Sequence, residues 1–223
     1  MQKKIAKKTV LSLKDEVLKK TSEFHYDEFG NEIKQINFSS DDEIVSTIVK
    51  TYDKNRIMLS MEINETGQVK TKWEYENSFN ESQHLQKSIA RQLNATTIET
   101  YHYNMDNSYE VTTVTNDKTI SIKQYSSNKE LIKIINPINN SQTSLTYDSH
   151  HNLTEHKEML LNRPNRIITY KNEYNSKNQL SSISSGNIIT QFHYNENGDV
   201  TEEIHKTMNG VITLTVHYHY EYQ

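Results

Sequence analysis

Apolar and polar residues alternate with period two along most of this chain. Ile212, Leu214, Val216, Tyr218, Tyr220 and Tyr222 fall on one side of a twelve-residue stretch, and Val211, Thr213, Thr215, His217, His219 and Glu221 on the other. A strand points successive side chains to opposite faces, so this pattern predicts a strand. Ile188, Thr190, Phe192 and Tyr194 repeat it, as do Val69, Thr71, Trp73 and Tyr75. Val17 to Tyr26 also reads as a strand, with Leu18, Ser22, Phe24 and Tyr26 on one face. Two stretches compete with a helix: residues 82–94, where Leu85, Ile89 and Leu93 have helical spacing, and Glu155 to Leu161. Ahead of these lies an N-terminal segment, residues 1–14. Residues 1–8 are expected to fray, and Val10 to Asp15 suits either a short helix or a first strand.

The strands end on a recurring aromatic turn. Phe24-His25-Tyr26-Asp27-Glu28-Phe29-Gly30-Asn31 closes a strand on Tyr, turns on Asp and leaves through Gly. An Asp or Asn side chain bonds the backbone two residues on, and Gly reaches positive φ without a Cβ clash. That layout fits a type I turn followed by a left-handed residue. Looser copies are anchored at Tyr52, Tyr75, Tyr103, Tyr125, Tyr147, Tyr174 and Tyr194, with gaps of 20 to 28 residues. Four residues after each Tyr stand Gly30, Arg56, Phe79, Asn107, Lys129, His151, Asn178 and Gly198. Arg56, Phe79 and Lys129 are poor left-handed residues, so those three loops are expected to use another turn type. A second turn separates each pair of tyrosines, as at Asn116-Asp117 and Asn209-Gly210. Eight units and an incoming strand give about seventeen strands in one repeat domain, residues 15–223. Position in the repeat then decides for strand at 82–94 and at 155–161.

The copies Tyr-Asp-Glu-Phe-Gly-Asn at 26–31 and Tyr-Asn-Glu-Asn-Gly-Asp at 194–199 resemble the YD repeat of bacterial Rhs-type proteins, which are related to animal teneurins. The resemblance spans roughly residues 15–222 and is closest in the first and last copies. It implies a β-shell wound from hairpins and a role in binding carbohydrate or encasing a toxin. Bacterial members often carry that toxin beyond the repeats. This chain is far shorter, usually replaces the Gly and ends at Gln223.

About seventeen strands at roughly 4.8 Å spacing make a sheet on the order of 80 Å wide, which seldom stays flat. Closed into a tube it would be hollow, because side chains from one wall reach only about 5 Å inward. Hydrophobic residues make up only 33% of the chain, so the expectation is an antiparallel meander forming a curled, partly open sheet. The 14 Tyr, with abundant Ile, Thr and Val, separate it from disordered sequences.

The absence of Cys rules out disulfides and thiolate metal sites. A net charge of −4 with both signs interspersed argues against nucleic acid as a partner. Lys7, Lys8 and Lys14 interrupt the apolar core that a signal peptide needs, and no window elsewhere approaches a membrane span, so none is expected. The sequence as it stands reads as cytoplasmic, or as secreted or surface-bound if it is trimmed.

No catalytic residue, cofactor or metal site is assigned. His217 and His219 share one strand face, with His193 and His205 close by, but the slot before each Tyr is polar and only sometimes His. Carboxylate pairs such as Asp41-Asp42 and Glu202-Glu203 lie in turns or point apart, unlike a glycosidase pair. The tyrosine row is expected to cover the buried face. Ligand or edge contacts are expected from Trp73, His217, Tyr218, His219, Tyr220 and Tyr222. The expected function is a non-catalytic binding or scaffold protein whose partner is a polysaccharide or another protein. The alternative is an immunity-like protein that neutralises an Rhs-type toxin. It would offer Val211–Tyr222 as an unpaired edge for strand addition, against the preferred reading that the N-terminal segment or a second copy in a homodimer covers that edge.

Overall fold

The computed structural model describes residues 4–14, 17–65, 67–161 and 163–222. Among them the chain forms nineteen strands and no helix, so no helix is long and apolar enough to cross a membrane. The strands are β1 (Ile5–Lys14), β2 (Val17–Tyr26), β3 (Glu32–Phe38), β4 (Ile44–Tyr52), β5 (Met58–Glu65), β6 (Gln68–Phe79), β7 (Leu85–Gln92), β8 (Ala95–Tyr103) and β9 (Tyr109–Thr115). They continue as β10 (Lys118–Tyr125), β11 (Leu131–Asn136), β12 (Ser141–Tyr147), β13 (Leu153–Met159), β14 (Arg166–Thr169), β15 (Lys171–Tyr174), β16 (Leu180–Ser185), β17 (Ile188–Tyr194), β18 (Val200–Thr207) and β19 (Ile212–Tyr222). This is the antiparallel meander that the repeat predicts, and both helix-like stretches are strands, β7 and β13. Two strands exceed the expected seventeen. One is β1, and the other comes from an interruption at Tyr170 that separates β14 from β15.

The aromatic turn is one structure used repeatedly. Asp27 donates its N–H to the Asn31 carbonyl at 3.0 Å, and its own carbonyl accepts the Gly30 N–H at 3.0 Å. Its carboxylate accepts the N–H groups of Phe29 and Asn31 at 2.9 and 2.8 Å. The same backbone pair of bonds closes the turns that start at Asp53, Asn80, Asn104, Ser126, Asp148, Asn175 and Asn195. In the hairpins that turn at Asp27, Asp53, Asn80, Ser126, Asp148 and Asn195 the register slips by one residue at the strand end, as between His25 and Tyr26. That slip is the bulge a left-handed residue imposes.

Two expectations about these turns are corrected. The third copy is not anchored at Tyr75: β6 runs past it and turns after Phe79, with Asn80 in the Asp position and Gln83 in the left-handed one. Glu76 lacks the short side chain that starts this turn, and Asn80 has it. The loops of Arg56 and Lys129 do not change turn type either. Both residues adopt the left-handed conformation, at φ 65° and 66°, so closing the hairpin outweighs a local cost of about 1–2 kcal/mol.

The chain forms two compact units, Met1–Lys72 with Asn172–Gln223, and Trp73–Lys171. In the first, β1 is inserted between the two ends of the repeat. Val10 lies opposite Ser22 of β2 on one side and opposite Tyr218 of β19 on the other. The N-terminal segment is therefore not a frayed tail from Ile5 onward, while residues 1–3 lie outside the described residues. A register slip at Val10/Leu11 leaves Thr21 as an extra residue in β2. Leu18, opposite Leu13, consequently lies on the other face from Ser22 and Phe24, contrary to the simple alternation. In the second unit, β7 to β13 pair in sequence order.

Very little of either unit is packed away from solvent. Among the described residues the only buried apolar residue is Val111, at 4% exposure; Ser88, Thr113, Ser182 and Thr215 are the buried polar ones. Strands without covering helices account for this and for the low hydrophobic content, because among the described residues no helix packs on either unit.

Candidate ligand groove at the tyrosine turns

Two different jobs recur among the tyrosines of this row, while Tyr26 and Tyr75 show neither among the described residues. In four cases the phenol is a strap. Tyr52 Oη donates to the Glu32 carbonyl at 2.9 Å, Tyr147 to Leu131 at 2.9 Å, Tyr194 to Leu180 at 2.7 Å and Tyr220 to Val200 at 2.7 Å. Glu32, Leu131, Leu180 and Val200 each stand six residues after the preceding repeat Tyr and open the strand on which the donor's hairpin leans. Each strap therefore binds one turn to the strand before it and satisfies a strand-end carbonyl. Tyr220 behaves as a ninth member of the row, although it stands within β19 rather than at a turn.

In the second unit the pattern changes. Tyr103 and Tyr109 face each other across the 104–108 turn, with ring centroids 5.2 Å apart. Tyr109 stacks on Tyr125 at 4.6 Å with the planes only 7° apart, and His84 lies 4.8 Å from Tyr103 on the other flank. Such pairs contribute about 0.5–1.5 kcal/mol beyond area burial. Among the described residues no hydrogen bond engages the hydroxyl of Tyr103, Tyr109 or Tyr125. Here the rings hold one another, and the phenol groups are left free.

A groove of about 480 Å³ opens beside this stack, lined by Gln83, His84, Leu85, Tyr103, Asn107, Tyr109, Ser127 and Lys129. Gln83, Asn107 and Lys129 are the left-handed residues of three successive aromatic turns, at φ 61°, 63° and 66°. The position that carries Gly in the first and last copies thus presents an amide, an amide and an ammonium at this groove.

Burial raises the Tyr103, Tyr109 and Tyr125 phenols above their ordinary value, so all three are protonated donors at neutral pH. The nearby carboxylates are held in their own turns. Asp106 is lowered by its bonds from the Ser108 hydroxyl and N–H, and Glu130 by His151 at 2.7 Å and by Ser126.

The residues expected as ligand or edge contacts lie elsewhere. Tyr218 donates to Glu203 at 2.7 Å, Tyr220 to Val200, and Tyr222 to Asp199 at 2.7 Å while accepting from Asn195 at 2.8 Å. These three hydroxyls are engaged inside the first unit. His217 sits 3.5 Å from Glu202, which also faces His193 at 3.7 Å across β17 to β19. His219 is exposed on the same face as His217, and Trp73 is half-buried on the face of Tyr75 and Phe79. Among the described residues no group of three His, Cys, Asp or Glu side chains is arranged to hold a metal ion.

Of the two readings of the terminal strand, the structure shows the one in which the N-terminal segment covers it, and the free edge is corrected. Strand β19 pairs with β18 on one side and with β1 on the other, so Val211–Tyr222 has no open ladder for a partner strand. Of the groove and stack residues, Tyr103, Tyr125, Asn107 and Lys129 were visible as repeat positions, whereas His84 and Tyr109 were not. The signal for Tyr109 was the Tyr-x5-Tyr spacing, because this turn sets residues six apart opposite each other, as at Tyr26 and Glu32.

No family model matches the chain, and no curated protein matches it. Solved structures to which it is similar include a porin-like protein from Bacteroides uniformis, at 12% identity and a TM-score of 0.47, covering 97% of this chain and 98% of that one. A porin-like protein from Bacteroides vulgatus matches at 12% identity and a TM-score of 0.44, covering 98% and 99%. TcdB2-TccC3 matches at 12% identity and a TM-score of 0.37, covering 91% of this chain and 14% of that one.

Proposed function

We propose that this protein is a non-catalytic binding or scaffold module of the YD-repeat kind, and that the groove at Tyr103 and Tyr109 takes its ligand, a polysaccharide or another protein. The observation that carries this reading is the release of the tyrosine hydroxyls. At Tyr52, Tyr147, Tyr194 and Tyr220 the fold uses the phenol, and at Tyr103 and Tyr109 it does not. Free donors on rings fixed by stacking are preorganised for a polar ligand, because little side-chain freedom is lost on binding. The three turns beside them carry Gln83, Asn107 and Lys129 at the position that is Gly in the first and last copies, which sets polar side chains along the groove. The test is a glycan array together with a pull-down, each run on the full chain and on Tyr109→Phe. A glycan or protein retained by the native chain and released by Tyr109→Phe supports the reading. Ligands retained equally by both, or none at all, contradict it.

A further inference from the structure

Three phenol–carboxylate hydrogen bonds compare directly. Tyr218 donates to Glu203 at 2.7 Å, Tyr222 to Asp199 at 2.7 Å and Tyr101 to Glu99 at 2.9 Å. The first two have a cation of the chain beside them. The ammonium of Lys8 lies over the Tyr218 ring, 4.4 Å from its centroid, and His205 stands 3.6 Å from Glu203. Asp199 lines a groove together with Lys4. The third pair, in the second unit, differs. Among the described residues no lysine, arginine or histidine pairs with Glu99 or lies over the Tyr101 ring. Ser88, Glu99 and Thr113 are cross-strand neighbours on β7, β8 and β9, so they share one face. That row is shielded from solvent: Ser88 is 8% exposed, Thr113 6%, and Val111 on the same face 4%. Thr113 Oγ1 is buried there without a hydrogen-bond partner. Glu99 gives Oε2 to Tyr101, and among the described residues nothing bonds its Oε1.

We infer that Glu99 and Thr113 form a binding site for a small primary amine, whose ammonium donates to Glu99 Oε1 and Thr113 Oγ1 beside the Tyr101 ring. The site shares no residue with the lining of the groove at Tyr103 and Tyr109 and goes beyond that reading. A carboxylate next to aromatic rings attracts a cation, through its charge and through the ring faces. Burial first, and then the charge of Glu99, raise the phenols of Tyr75 and Tyr101, so two rings stand in the field of this one carboxylate. The unbonded Thr113 oxygen calls for an N–H donor, which a primary ammonium carries and a quaternary one lacks. In the first unit the chain itself sets a primary ammonium, that of Lys8, on the corresponding tyrosine. Lys123, opposite Val111 on the same face as Thr113, makes no ion pair with Glu99. The shielding of the row suits a small ion rather than a folded partner.

The experiment is calorimetric titration of the full chain at neutral pH with n-butylammonium chloride and with its uncharged analogue, butan-1-ol. The amine should bind about tenfold or more tightly than the alcohol. Glu99→Gln keeps an acceptor for the Tyr101 hydroxyl and should remove the preference. Thr113→Val keeps the shape of the side chain and should weaken the amine. Its unfolding midpoint should hold or rise, because a buried hydroxyl without a partner is gone. Equal binding of amine and alcohol, binding of neither, or an unchanged preference in Glu99→Gln would overturn the inference. So would a midpoint that falls in Thr113→Val, since the hydroxyl would then be satisfied without an amine. None of these outcomes bears on the groove, whose test reads Tyr109 instead.

Discussion

The hydroxyl of Tyr147 donates a 2.9 Å hydrogen bond to the carbonyl of Leu131, a residue at the start of the strand two before its own turn. The same bond recurs from Tyr52, Tyr194 and Tyr220. A sheet with almost no buried apolar side chain has little else to fix one hairpin on the next. Ladder bonds set the register, and the phenol straps tie strand ends that would otherwise fray.

Loss of a single strap should therefore be measurable. Tyr194→Phe keeps the ring and removes one hydrogen bond, so it should destabilise the fold by about 1 kcal/mol. Urea unfolding followed by circular dichroism measures this. An unchanged midpoint would show that the strap contributes nothing.

The left-handed turn positions should respond in opposite directions to the same kind of change. Gly30 sits at φ 87° with nothing within 4 Å of an added Cβ, so Gly30→Ala should cost about 1 kcal/mol through backbone strain alone. Arg56 sits at φ 65°, where Arg56→Gly relieves strain of that order. Part of the gain is offset by the greater freedom of Gly in the unfolded chain and by loss of the guanidinium contact with Phe29, 5.2 Å from its ring. Thermal midpoints should fall for the first variant and hold or rise for the second.

Stability should fall on the acid side through carboxylates held in turns. Glu130, paired with His151, and Asp106, bonded by Ser108, lie below their ordinary values of 4.5 and 3.8. A carboxylate with a lowered folded pKa contributes stability that is complete above its unfolded pKa and is lost as pH falls through the folded one. Urea midpoints should hold above about pH 4.5 and decline below it. In His151→Ala the part of that decline due to Glu130 should shrink.

On the alkaline side the sign is set by the phenols. Burial first, and then neighbouring carboxylates, raise Tyr101, Tyr218 and Tyr220 above 10.0. The folded chain holds these protons more tightly than the unfolded chain, so their contribution is complete below pH 10 and lost as pH rises beyond it. Absorbance titration should show these phenols ionising later in the folded protein than in urea. Coincident curves would contradict the burial.

The sequence carried the architecture further than the site. Period two and the aromatic turn were enough to place strands at β7 and β13, where Leu85, Ile89 and Leu93 mimic a helix. The turn at Phe79 was misplaced because Tyr75 matched the repeat letter, while the small Asn80 that starts the turn lay five residues on. Lys129 and Arg56 were set aside on local preference, which closure of the hairpin overrides. The role of β1 depended on pairing with a strand some 200 residues away, which no local pattern encodes. The groove was illegible for a related reason. Whether a Tyr hydroxyl is used or free depends on what stands across the next hairpin. At Tyr103 that partner is another Tyr.

The division of labour among the tyrosines is tested most directly by one paired comparison of Tyr147→Phe and Tyr109→Phe. For each variant, the urea midpoint and the affinity for a ligand captured by the native chain are measured together. Tyr147→Phe should lose about 1 kcal/mol of stability and keep its affinity, because its hydroxyl bonds Leu131. Tyr109→Phe should keep its stability and lose affinity, because its ring is held by Tyr103 and Tyr125 and its hydroxyl makes no hydrogen bond among the described residues. If both variants lost stability alike and neither lost affinity, the account would be contradicted.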